Sequence, residues 1–138
     1  MEWDENFVNA KYHLAVAERM LGSYGEVGDK RFLIGIIREA AESVSCLIKF
    51  VMKGSRDSWQ RAAGSERKVF LRYVDGVTCD NLFRMLEVAG AQRDSPIEYA
   101  KGDKIILLIR GRYRILTVDR IREFVSSIGD AVGKLRQV

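Results

Sequence analysis

Apolar side chains recur with helical period along most of the chain, most cleanly from Arg31 to Lys53. There Leu33, Ile37, Ala40, Val44, Leu47 and Val51 follow at steps of four and three, which places them on one helix face. Ile34, Ala41 and Ile48 widen that face, and Ile36 flanks it. The opposite stripe of Arg31, Gly35, Arg38, Glu42, Ser45 and Lys49 is polar or small. So broad an apolar face suits a helix with more than one neighbour. The segment is predicted as the central helix of a bundle, flanked by the first and last helices. Asp29 is placed to cap its start, and Lys53 with Gly54 to close its end.

A first helix is predicted from about Asp4 to Leu21, carried by Phe7, Ala10, Leu14, Ala17 and Leu21, with Val8, Tyr12 and Ala15 as a shoulder. The stretch GSYGEVGD would then join two antiparallel helices. Its Gly22, Gly25 and Gly28 follow a helix and lack the GK[ST] of a phosphate loop, so a connector is the better reading. Residues 54–79 read as broken helix. Ser55, Asp57 and Ser58 are cap candidates, a second piece runs from Ser65 to Val74, and Asp75-Gly76 is a turn. Asp80 is expected to cap a helix bearing Leu82, Phe83, Leu86 and Ala89 that frays near Gly90.

After Ser95-Pro96 the pattern changes. Ile105 to Ile109 and Tyr113 to Val118 are short, β-branched runs separated by Arg110-Gly111-Arg112, which predicts a β-hairpin at about 104–118 with one face laid on the helices. A last helix starts between Thr117 and Asp119 and repeats at Ile121, Val125, Ile128, Val132 and Leu135, broadened by Phe124, Ala131 and Val138. Gly129 and Gly133 lie one turn apart on it. Close approach of a neighbouring helix is the structural explanation, and a dimer contact the functional one. The expected fold is mainly α: an antiparallel bundle of four to five helices with a small β-hairpin before the C-terminal helix, in one domain over 1–138.

Composition narrows the function. The length of 138 residues supports a core without staples, and the longest strictly aliphatic run, Ile105 to Ile109, is far below the ~20 residues that span a bilayer. The start MEWDENF is acidic and unlike a signal peptide, so the cytoplasm is the default location. Cys46 and Cys79 belong to no CxxC pair and read as buried thiols, Cys79 in an inter-helix turn. No carboxylate or cysteine stands at metal-site spacing from the lone His13, and Glu39 with Glu42 beside Arg38 reads as a solvated charge cluster. No nucleophile elbow is present. No cofactor or metal is implied.

The net charge of +4 is unevenly spread, acidic before residue 30 and basic over 93–122. In RGRYR, strand alternation sets Arg112 and Arg114 on one face and Tyr113 on the other, and Lys101, Lys104 and Arg110 extend the positive field. Guanidinium groups take phosphate oxygens bidentately and a tyrosine stacks on a base, so these six residues are the candidate nucleic-acid contacts. The competing reading is that arginines on the outer face of a hairpin keep the edge soluble.

The segments KYHLAVAERML, RFLIGIIREAAES and SPIEYAKGDKIILLI, the last followed by RILTVDRIREFV, resemble an archaeal family of small uncharacterised helical proteins, over about half of the chain. That family implies no activity. More remotely, the two-helix hairpin is similar to the HEPN group of helical bundles, which implies dimerisation and, for some members, ribonuclease or toxin roles. The HEPN nuclease motif places an arginine four to six residues before a histidine on one helix. Here no arginine precedes His13 and Arg19 follows it, so that site is absent. The expected function is a non-enzymatic interaction protein, a homodimer that contacts RNA or DNA through the basic hairpin. A HEPN-like ribonuclease or toxin–antitoxin component with a non-standard site is the alternative.

Overall fold

A computed structural model describes residues 4–27, 30–54, 65–94, 99–101, 104–109 and 111–136. Helix α1 (Glu5–Val27) and helix α2 (Lys30–Gly54) form the expected antiparallel pair: Lys53 Nζ, at the end of α2, lies 3.6 Å from Asp4 Oδ2, at the start of α1. The periodic residues Leu33, Ile37, Ala40, Val44, Leu47 and Val51 are all buried, as is Ile36. Each large aliphatic side chain so buried contributes about 1.5–3 kcal/mol. Ser43 is fully buried between the two helices, and its Oγ donates to the Ala10 carbonyl at 2.7 Å, which satisfies a group that is costly to bury alone. Gly35 also faces α1: a Cβ there would collide with the terminal methyl of Met20.

Helix α1 runs past the predicted end at Leu21, so Gly22 and Gly25 lie inside a helix rather than in a connector. A helical glycine costs about 1 kcal/mol against alanine, and burial of Tyr24 in the core offsets it. The proposed caps Asp29, Ser55, Asp57 and Ser58 lie outside the described residues, as do Gly28, Ser95, Pro96 and Val138.

Helix α3 (Ser65–Phe70) ends in a tight turn, with Arg72 N–H donating to the Val69 carbonyl at 3.1 Å and Tyr73 N–H to Phe70 at 2.9 Å. Helix α4 (Gly76–Asp94) begins earlier than expected. Asp75 caps it, its Oδ1 accepting the Thr78 N–H at 2.8 Å, while Asp80 lies one turn inside and pairs with Arg67. The earlier start places Cys79 within the helix, buried, and α4 continues through Gly90.

Three antiparallel strands follow in the order β1 (Tyr99–Lys101), β2 (Lys104–Ile109) and β3 (Arg112–Thr117). The β2–β3 hairpin is the predicted one, turning at Gly111 with φ +77°, and β1 adds a third strand. Thr117 ends the sheet and caps helix α5 (Val118–Leu135), its hydroxyl accepting the Arg120 N–H at 3.1 Å. The α5 residues Ile121, Phe124, Val125, Ile128, Ala131, Val132 and Leu135 are buried, and α5 packs on α1, α2 and α4. Close helix packing does not account for Gly129 and Gly133, because a Cβ at either meets nothing within 4 Å. Among the described residues, no helix is long and apolar enough to cross a membrane.

Candidate nucleic-acid interface

The register of the hairpin sets Ile105 opposite Leu116, and Leu107 opposite Arg114. Alternation therefore puts Arg112 and Arg114 on the same side as the buried Ile105, Leu107 and Leu116. That side faces α4 and α5, so the two arginines lie on the inner face, where it extends past the core. Both are exposed, so the outer face of the competing reading is not theirs, while their contact with solvent is. Tyr113 and Ile115 occupy the outer face and are 68% and 67% exposed. Tyr113 thus cannot share one flat surface with the arginines.

Two helices complete a concavity of about 690 Å³ beside the inner face. From α4 come Arg84 and Val88, and from α5 come Arg120 and Phe124. Leu107 and Leu116 form an apolar floor under a rim of arginines. Glu87 is the one acid among the described lining residues. The size falls within the ~300–1,000 Å³ typical of small-ligand sites.

The four arginines are not equivalent. Arg120 Nη2 donates to Asn81 Oδ1 at 3.1 Å, its Nη1 donates to Glu123, and its guanidinium carbon stands 4.6 Å from the centre of the Phe124 ring. Asn81 donates in turn to Ser127 Oγ at 2.8 Å, a buried link between α4 and α5. Arg120 is therefore held in place with its charge matched. The side chains of Arg84, Arg112 and Arg114 make no hydrogen bond or ion pair to a described residue.

Of the six residues expected from sequence, the structure brings Arg112 and Arg114 together at this groove. Lys104 is exposed at the far end of β2, opposite Thr117, and Lys101 pairs with Lys104 in the strand register. Arg110 lies outside the described residues. Arg84 and Arg120 were missed. Arg84 sits on a helix far from RGRYR in sequence, whereas Arg120 follows it closely but on the next helix, and only the tertiary fold sets the two beside β3.

A second polar pair lies elsewhere. His13 Nδ1 is 2.5 Å from Glu39 Oε2, with both side chains partly exposed, and the Tyr12 ring meets the imidazole edge-on at 5.2 Å. Glu39 is thus engaged across α1 and α2 rather than grouped with Glu42. Among the described residues, no set of three or more histidines, cysteines or acids could hold a metal. Cys46 and Cys79 are both free and buried, and burial pushes both thiol pKa values up. Glu42 adds to the rise at Cys46, and Arg67 opposes it at Cys79.

No family model, curated protein or solved structure matches this chain.

Proposed function

We propose that the protein is a non-enzymatic interaction protein that binds nucleic acid through the arginine-lined groove between β3, α4 and α5. The observation that supports this is the convergence of Arg84, Arg112 and Arg114 on one concavity, with no acidic partner for any of them among the described residues. Unpaired guanidinium groups present planar forks that match phosphate oxygens. The net charge of +4 adds a favourable long-range field. Titration of labelled RNA and duplex DNA at low salt tests the reading. Binding that weakens steeply with salt is expected, and absence of binding to either removes it.

The reading includes a homodimer. Gly129 and Gly133 open onto a surface depression also lined by Tyr73, Asp130 and Lys134, which leaves room for a second chain. Light scattering that gives a monomer at high concentration excludes it.

One observation favours the ribonuclease alternative. A carboxylate that engages one ring nitrogen of His13, as Glu39 does, leaves the other free to exchange a proton. RNA cleavage that is lost in His13→Ala would establish that alternative, and purified protein that leaves RNA intact would remove it.

A further inference from the structure

We infer that the groove receives an unstacked base from a single strand, laid against the guanidinium face of Arg120, with the flanking phosphates on Arg112 and Arg114. This rests on the nucleic-acid reading and narrows it to single-stranded partners.

Three features carry the inference. The first is the contrast between rim and floor. Arginines that gripped only phosphates would need no apolar floor between them. Here they surround a three-sided cavity floored by Leu107 and Leu116, with room for a group the size of a nucleotide. A duplex presents phosphates on a convex surface and keeps its bases stacked inside, so it reaches the rim and leaves the interior unfilled. A single strand supplies both groups.

The second is the state of Arg120. Its charge is met by Glu123, one edge is fixed by Asn81, and Phe124 backs it at 4.6 Å. It therefore has little left to offer a phosphate. What it retains is a flat, delocalised face at the groove wall, and guanidinium planes stack on unpaired bases. The buried Asn81–Ser127 link holds the platform before any ligand arrives.

The third is spacing. Arg112 and Arg114 are two residues apart on one strand face, so their Cα atoms stand roughly 7 Å apart. That is commensurate with successive phosphates along an extended strand. Arg84 closes the opposite rim.

The test compares one short oligonucleotide in three forms at low salt: single-stranded, as its blunt duplex, and as the same strand with abasic sites throughout. The intact single strand is expected to bind about tenfold more tightly than either other form. Arg120→Lys keeps the charge and removes the plane, so it should close that gap. Arg112→Ala with Arg114→Ala should weaken all three forms. Because Arg120→Lys perturbs a packed residue, a 2-aminopurine strand provides a second readout on the unaltered protein, and its fluorescence should be quenched on binding. Equal affinity for the three forms, with 2-aminopurine unquenched, overturns base insertion and leaves the phosphate reading standing. No binding of any form overturns both.

Discussion

The double substitution Arg112→Ala/Arg114→Ala separates a phosphate-binding groove from a merely basic surface. Both residues are exposed and unpaired among the described residues, so their loss should change stability by less than about 0.5 kcal/mol each. Their effect on binding is calculable. Single-stranded nucleic acid loses affinity with a slope of about 0.7 per phosphate contact in log K against log salt. Arg84, Arg112 and Arg114 therefore give about −2.1 together, or roughly an 18-fold loss between about 50 and 200 mM salt. The double variant retains one such contact and should lose only about threefold over the same range. Arg120→Ala should barely alter the slope, since Glu123 already matches its charge, and should instead lower the melting temperature. Fluorescence anisotropy across a salt series, with thermal melts run in parallel, measures all of these. A double variant that melts like the parent and keeps the parental slope would refute the assignment of these arginines to phosphate.

Three further outcomes follow from the fold. Gly129→Ala should raise the unfolding free energy of the monomer by up to about 1 kcal/mol, read as a higher urea midpoint, because the added methyl meets no neighbour and removes a helix penalty; a fall in midpoint contradicts it. Asp75→Asn should lower the melting temperature at neutral pH. The Asp75 carboxylate is held below its usual pKa by hydrogen bonds from the Thr78 side chain and backbone. Its contribution is therefore present above the unfolded value of about 3.9 and lost as pH falls through the lower folded value, so the two proteins should converge in acid. Cys46 and Cys79 should react with a thiol reagent only in denaturant, since both are buried and less acidic than free thiols; rapid labelling of the native protein would show that the core opens.

The sequence revealed what periodicity encodes. Helices α2 and α5 were legible because their apolar faces repeat cleanly, and the Thr117 cap because a hydroxyl stands where strand pattern gives way to helix pattern. The end of α1 was misjudged, since two glycines signal a break locally while the burial of Tyr24 lies beyond the reach of a local window. Asp75 and Asp80 are both competent caps in sequence, and only packing of Thr78 and Cys79 into the core selects the earlier one. The site was half legible. Alternation told that Arg112 and Arg114 share a face, but β2 is apolar throughout Ile105–Ile109 and Ile115-Leu116 are both apolar, so nothing in the pattern said which face turns inward. Arg84 carried no local signal, and Arg120 only its place in the basic stretch over 93–122.

Helix α5 both seals the core and forms one wall of the groove. The α1–α2 pair joins segments adjacent in the chain, whereas α5 must return across most of it to reach α1. Contacts between near segments close at small entropic cost, and distant ones cost more. The contacts of α5 with α1 therefore carry the larger closure cost, and Arg120 and Phe124 stand beside Arg84, Arg112 and Arg114 only when α5 is docked. A nascent or partly denatured chain carries every one of these arginines without presenting them together. Ligand capture would thus require a docked α5, and a bound strand would hold the last helix against unfolding.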